Sequence, residues 1–131
     1  MEKLRAVVVN AMREGNVCAI YLGDLQFDFK NEWSHPEIFP AATIFDFKEW
    51  RKRDTYLKFV KDDEMYCQND TAHGTFYMSP EFSICLISTS TDLKFVNRIT
   101  ELTPSSDQME KLVLLETPES TYNNKQVNKP I

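Results

Sequence analysis

The sequence predicts an α/β protein built on a small parallel sheet that is flanked by helices. Two short runs carry this prediction, residues 17–22 and residues 82–87. Each run is almost continuously apolar and ends in small or polar residues, and a predicted helix precedes the first run and another, at 107–116, follows the second. Such runs are typical of parallel strands that are buried on both faces. We therefore expect both strands to lie inside the core.

The first helix is predicted over residues 2–14, and strand 17–22 follows it directly. Gly15 and Asn16 end the helix in the manner of a C-cap. The apolar face is formed by residues at three- and four-residue spacing, which are Leu4, Val7, Val8, Ala11 and Met12.

The middle of the chain, residues 31–79, shows no sustained period and predicts an irregular insertion. Aromatic residues and prolines interrupt each other there. Its local patterns predict a short strand or the approach to a helix at 41–47, a helix at 47–54, an exposed strand at 56–60, and a mobile stretch at 61–79 with a strand-like piece near 75–78.

Beyond the second strand, residues 92–100 predict a turn followed by a strand. The cluster at 103–107 resembles a helix start, so a helix is predicted over 107–116. One α/β domain would then span residues 1–118. Residues 119–131 are rich in Asn, Lys, Pro, Ser and Thr and predict a flexible tail.

Composition excludes several classes of function. The formal charge of −5 argues against a nucleic-acid-binding surface, and the basic residues Lys48 and 51–53 alternate with acids as on a solvated helix face. Only three glycines are present, and no phosphate-binding glycine loop occurs. Three cysteines favour free thiols in a reducing compartment, and no run is long enough to span a membrane. The expected location is cytoplasmic.

Three stretches resemble one family. The run LRAVVVNAMREGNVCAIYLGDL (4–25), the run SPEFSICLISTSTDLKF (79–95) and the run RITELTPSSDQMEKLVLLETPE (98–119) together resemble an ATPase module of the AAA+ type, as found in dynein heavy chains. Among dynein modules the degenerate fifth is the most similar. The resemblance implies a partial P-loop (AAA+-like) parallel sheet, in which strand 17–22 takes the Walker B position and strand 82–87 the sensor position.

The chain departs from that family at the positions that carry its chemistry. No Walker A loop is present, and Ile20 and Tyr21 stand where the Walker B acids would be. We therefore expect no enzymatic activity, no cofactor and no metal. His35, Cys67 and His73 do not have the spacing of a tetrahedral zinc site, and Cys85 is expected to pack in the core rather than act as a nucleophile.

Weak candidates for nucleotide or magnesium contact are Asp24, Ser88 and Thr89, which follow the two strands. Ligands gather at the carboxyl ends of parallel strands. Each candidate also has a structural interpretation: Asp24 as a turn acid after Gly23, and the hydroxyls as caps of the next turn. Trp33, Phe39 and Trp50 are equally compatible with a satellite core and with anchors of a protein interface.

The sequence thus predicts a non-catalytic scaffold or adaptor that binds a protein partner or forms a homo-oligomer. A sheet that lacks its first strand would expose an edge and an apolar face, which a partner would have to cover. The resemblance implies a cilium, an axoneme or another microtubule structure as the setting. Two alternatives stay open: a nucleotide-binding subunit that completes its site with a partner chain, and a small acidic viral or phage inhibitor of a protein partner.

Overall fold

The computed structural model describes residues 1–67 and 74–114, which form a mixed α/β fold around a two-stranded parallel sheet. The elements in chain order are α1 (Glu2–Glu14), β1 (Val17–Gly23), α2 (Ala41–Ile44), α3 (Phe47–Trp50), α4 (Arg53–Tyr56), β2 (Ser83–Ser88) and α5 (Leu93–Leu102). Short 3-10 turns lie at Leu57–Phe59, Asp62–Glu64 and Ser106–Gln108.

The predicted N-terminal helix and its termination at Gly15 are confirmed. Gly15 has φ 72°, and its backbone N–H donates to the carbonyl of Ala11. A Cβ at this position would lie 2.6 Å from Oγ of Ser79. Glycine is therefore required both by the left-handed backbone and by the close approach of the 79–81 segment.

The two predicted strands pair with each other in parallel, as expected. The register runs from Val17 opposite Ser83 to Tyr21 opposite Ile87, with an irregularity before Gly23. The prediction that both faces are buried is wrong. Cys18 and Leu22 are buried, whereas the alternate residues of both strands are exposed: Val17, Ala19, Tyr21, Cys85 and Ile87.

The sheet is buried on one face because the segment that connects the two strands packs with α1 on that face. A parallel pair needs a long crossover, and here residues 24–82 form it. Crossover residues such as Phe39, Phe45 and Trp50 share one hydrophobic core with α1, and Ile99 of α5 joins the same core. Residues 31–67 are therefore a structural part of that core, although their irregular pattern resembles an insertion.

Two local predictions within the crossover are also wrong. Residues 56–59 are helical rather than part of an exposed strand, Val60 follows them in a bend, and residues 75–78 have no regular secondary structure. Tyr56 and Val60 are both buried. Their spacing of four residues is that of one helix face. Alternation over only five residues did not distinguish this spacing from that of a strand.

The helix after β2 begins earlier than expected. Residues 93–102 form α5 instead of a strand, and the Asp92 carboxylate caps it by accepting from the backbone N–H of Lys94 at 2.9 Å. The predicted helix at 107–116 is not formed over residues 107–114, which the structure describes. Only the short 3-10 turn Ser106–Gln108 forms, and residues 109–114 are not helical. Residues 115–116 and the predicted tail 119–131 lie outside the described residues.

Two buried arginines join α1 to residues 59–66 of the crossover, and the sequence analysis did not identify them. Arg5 binds both carboxylate oxygens of Glu64 at 2.8 Å and donates to the carbonyl of Phe59 at 2.7 Å. Arg13 donates to the carbonyl of Glu64 at 2.8 Å and stacks over Tyr66, 3.8 Å from its ring centre. The charge of Arg5 is compensated by carboxylates, whereas the donors of Arg13 are satisfied by uncharged oxygens, and both arginines hold α1 against the crossover.

Candidate functional site

The carboxyl ends of the two strands meet, as the parallel topology predicts. Thr89 donates its backbone N–H to the carbonyl of Gly23 at 2.9 Å, and Ser88 Oγ donates to the same carbonyl at 3.3 Å. Asp24 directly follows Gly23 and is exposed. The structure therefore brings the segments of all three candidate ligand residues to one edge of the sheet.

The hydroxyls of Ser88 and Ser90 at this edge form a series of turn and cap contacts, whereas Thr89 contributes its backbone N–H. Ser88 Oγ accepts from the backbone N–H of Ser90 at 3.2 Å, and Ser90 Oγ accepts from that of Asp92 at 3.2 Å. Asp92 in turn caps α5. These contacts guide the chain from β2 into α5, which is the structural interpretation of the Ser/Thr cluster.

The described residues hold no group of three or more metal-ligating side chains. His35 Nδ1 accepts from the backbone N–H of Glu37 at 3.2 Å, and Cys67 Sγ lies 3.6 Å from the carbonyl of Thr75. His73 lies outside the described residues.

The three aromatic candidates separate by burial. Phe39 and Trp50 lie in the core, with Trp50 tilted against Phe59 at a ring separation of 5.3 Å. Their side chains present no surface to a partner, so both belong to the core. Trp33 is 39% exposed and packs edge-on against Phe27 at 5.2 Å. It alone of the three stays available at the surface.

An exposed apolar surface covers the side of the sheet opposite the core. We call it the outer sheet face; its members are Val17, Ala19, Tyr21, Cys85 and Ile87. Cys85 is therefore exposed, contrary to the core position expected for it. Every member is apolar or weakly polar, so nothing in the residue types distinguishes this face from the buried one. The one sequence signal for the outer sheet face was that side chains of a β-strand point alternately to the two faces of the sheet.

The three cysteines differ in environment because of this alternation. Cys18 points into the core, and its burial raises the pKa of its thiol. Cys67 is partly buried and Cys85 is exposed. All three are free thiols.

A shallow, open groove with apolar and amide side chains in its lining lies between α1 and β1, next to the outer sheet face. Its volume is about 580 Å³, and its apolar lining comes from Ala6, Val7, Ala11, Val17 and Ala19. Three of these side chains are methyl groups, which keeps the groove open. Asn10 and Asn16 add amide groups to the lining. We call this the α1–β1 groove.

A second apolar surface lies at the end of the described chain. Leu112, Val113 and Leu114 are 83%, 83% and 93% exposed and belong to no helix or strand. Met109, shortly before them, packs against the core. We call residues 112–114 the exposed 112–114 segment.

No family model, curated protein or solved structure matches this chain. Within the described ranges, no helix combines the length and the apolar character needed to cross a membrane.

Proposed function

We propose that this protein is a non-catalytic scaffold or adaptor that binds another polypeptide through its outer sheet face. The exposed apolar side chains of that face carry the proposal. Tyr21, Val17 and Ile87 are 68%, 60% and 41% exposed. Tyr21 lies opposite Ile87, and the exposed pair of Ala19 and Cys85 connects them with Val17 along the sheet. Scattered surface hydrophobics need no explanation, but a contiguous group on a regular sheet does.

The size of this surface suits a binding site. Val7 of α1 is 55% exposed and lies beside Val17 and Ala19 of the outer sheet face. Contiguous apolar patches of roughly 300–600 Å² are the scale at which exposed surface marks interaction sites. Tyr21 provides a large aromatic anchor of the kind enriched at interface centres. The strands themselves offer backbone groups with which an extended polypeptide could pair.

The resemblance to a degenerate dynein-type AAA+ module supplies the setting of the proposal. In this proposal the chain is a remnant that kept the two parallel strands of the module and lost its nucleotide chemistry. Its support is the parallel pairing of β1 with β2 and the presence of Ile20 and Tyr21 at the Walker B acid positions. A cytoplasmic assembly of a cilium, an axoneme or another microtubule structure is the corresponding location.

Selection of random peptides displayed on phage tests the binding role. The protein should select apolar peptides of alternating pattern, and Tyr21→Lys combined with Ile87→Lys should weaken their binding by at least about tenfold. Tyr77→Lys is the matched control, because Tyr77 is also exposed but lies outside the outer sheet face. Peptides that bind the double variant and the protein equally well would contradict the proposal.

The two alternatives predict different results. A nucleotide-binding subunit predicts that magnesium-ADP or magnesium-ATP raises the Tm and that Asp24→Asn removes the shift. Its supporting observation is the meeting of Asp24, Ser88 and Thr89 at one edge of the sheet. An acidic inhibitor predicts that selected ligands are basic and are released by salt. Apolar ligands that resist salt favour the outer sheet face.

A further inference from the structure

We propose that a basic surface on the crossover, formed by Lys48, Arg51 and Arg53, binds an acidic segment of a partner polypeptide. We call it the basic 48–53 surface. It is distinct from the outer sheet face, because none of its three residues belongs to β1 or β2. The inference goes beyond the proposed function, since it assigns the protein a second contact that is electrostatic where the first is apolar.

Basic residues are concentrated in one part of this acidic chain. Residues 48–58 hold five basic and two acidic residues, whereas the formal charge of the whole chain is −5. Because these residues alternate with acids, the sequence predicts a solvated helix face. In the structure, however, Glu49 binds Lys52 at 2.6 Å and accepts from the hydroxyl of Thr55 at 3.2 Å. Asp54, the other acid, forms no ion pair with any described residue. The alternation of signs therefore neutralises only one of the five cations.

Lys48, Arg51 and Arg53 keep their charges unpaired within residues 1–67 and 74–114. The basic residues that form ion pairs in this part of the chain are Arg5, Lys52, Lys61 and Arg98. Arg51 and Arg53 are exposed, and Lys48 is half-buried in α3. Arg51 follows Lys48 by three residues in helical backbone, so the two side chains are neighbours on one face. Such a group of unneutralised cations attracts anions to its surface.

The protein holds the side chain of Arg51 in a fixed position. Its guanidinium stacks over the ring of Phe47, with Cζ 4.6 Å from the ring centre, and Nη2 donates to the carbonyl of Phe82 at 2.6 Å. A guanidinium carries about five N–H donors in one plane, and the contact with Phe82 uses one of them. The exposed remainder of the group is therefore oriented and still able to donate to a carboxylate.

Arg53 is held in the same manner. Its Cζ lies 4.2 Å from the ring centre of Tyr77, and Nη1 donates to the carbonyl of Phe76 at 2.5 Å and to the hydroxyl of Tyr56 at 3.4 Å. These contacts reduce the side-chain freedom that an exposed arginine otherwise loses on binding. Arginine binds carboxylates with two parallel N–H···O bonds. Both arginines are thus preorganised for that contact.

An acidic polypeptide segment fits the basic 48–53 surface better than a nucleic acid or a membrane does. Its three cations suffice for a few carboxylates of a short segment, whereas DNA is commonly held through about 6–10 phosphate contacts. The rest of the chain is acidic, because the whole carries −5 despite this basic cluster. That charge repels an extended polyanion or an anionic lipid surface. Charge complementarity therefore favours a short acidic segment, which contacts the basic surface alone.

Binding of a fluorescent octaglutamate peptide, measured by anisotropy, tests the inference. At about 50 mM salt the peptide should bind with a Kd below about 1 mM, and about 500 mM salt should weaken the binding at least about fivefold. An octaglutamine peptide should not bind at the same concentrations. A DNA oligonucleotide of the same length and phosphatidylserine vesicles are compared at the lower salt. Tighter binding of either one would overturn the choice of a polypeptide as the occupant.

Two variants and a matched control locate the binding. Lys48 forms no hydrogen bond or ion pair with the described residues, so Lys48→Glu should keep the fold and weaken octaglutamate binding at least about fivefold. Lys94→Glu makes the same change of net charge at an exposed lysine outside the surface and should weaken binding less than about twofold. Arg51→Lys combined with Arg53→Lys keeps both charges but removes the planar forks, and it should weaken binding at least about threefold.

Several outcomes would overturn the inference. One is the absence of octaglutamate binding at about 1 mM. Another is an equal loss in Lys48→Glu and Lys94→Glu, because binding would then follow net charge rather than this surface. A third is a double arginine variant with a lower Tm together with unchanged binding in Lys48→Glu, since the arginines would then serve only to hold residues 76–82. Binding of apolar peptides by Lys48→Glu would leave the proposed function standing in each case.

Discussion

Buried arginines organise the structure at the scale of single residues. Arg5 is almost fully buried, and it is satisfied by two carboxylates, Glu2 and Glu64, and by one backbone carbonyl. Lys61 extends the group by binding Glu2 at 2.7 Å. Burying a guanidinium is costly unless its donors are matched, so the partners of Arg5 are required for α1 to pack where it does.

Glu64→Gln should therefore destabilise the protein by about 1–3 kcal/mol at pH 7, because it removes a bidentate, charge-assisted partner from a buried cation. Glu49→Gln is the control. Its ion pair with Lys52 lies at the surface and is screened by solvent, so its loss should destabilise the protein clearly less than the loss of Glu64 does. Urea denaturation followed by circular dichroism measures both. Equal losses in the two variants would show that the Arg5 site contributes no more than a surface pair.

The same carboxylates should make stability depend on pH. Hydrogen bonds from Arg5 lower the pKa of Glu64, and those from Arg5 and Lys61 lower the pKa of Glu2 to about 2. Because these pKa values are lower in the folded state than the ordinary 4.5, their contribution is complete above pH 4.5 and is lost as the pH falls through the folded values. The decline of unfolding free energy towards pH 2 should be shallower in Glu64→Gln.

At the scale of elements, β1 shows how a strand with an unbroken apolar pattern can be buried on one face. Its inward residues join a core that α1 and the crossover supply, whereas its outward residues are exposed. The β2 strand behaves in the same way. The alternation of environment, rather than of residue type, defines the candidate binding surface.

Neighbouring substitutions in β1 should consequently have opposite outcomes. Leu22→Ala removes a buried side chain and should cost about 2–5 kcal/mol in unfolding free energy. Tyr21→Ala removes an exposed ring and should cost less than about 1 kcal/mol. Chemical denaturation of the monomer compares them. Similar losses would indicate that the outer sheet face is covered.

At the scale of the whole molecule, the crossover and the sheet form one core. Aromatic residues of the crossover pack on each other, with Phe29 and Phe45 5.1 Å apart, and on apolar residues of α1 and β1. A core assembled from segments far apart in the chain should unfold in one cooperative transition.

Substitutions of the two tryptophans of the crossover test whether the molecule unfolds in one cooperative transition. Trp50→Ala should destabilise the whole molecule by about 3–5 kcal/mol, because the ring is buried in the shared core. Trp33→Ala, at a partly exposed ring, should cost clearly less. Thermal melts followed by far-ultraviolet circular dichroism should shift as one transition in Trp50→Ala. A separate early transition would show that the crossover unfolds independently.

The sequence by itself determined α1 with its end at Gly15, the positions of both strands, their parallel pairing and the meeting of Asp24 with Ser88 and Thr89 at one edge. These features depend on local periodicity, capping and a general rule of parallel sheets. Only the tertiary structure decided that residues 31–67 belong to the core, that 93–102 is a helix, and that Cys85 and Tyr21 face outward. Burial depends on which distant segment packs against a residue, and an apolar side chain has the same identity on a covered face and on an open one.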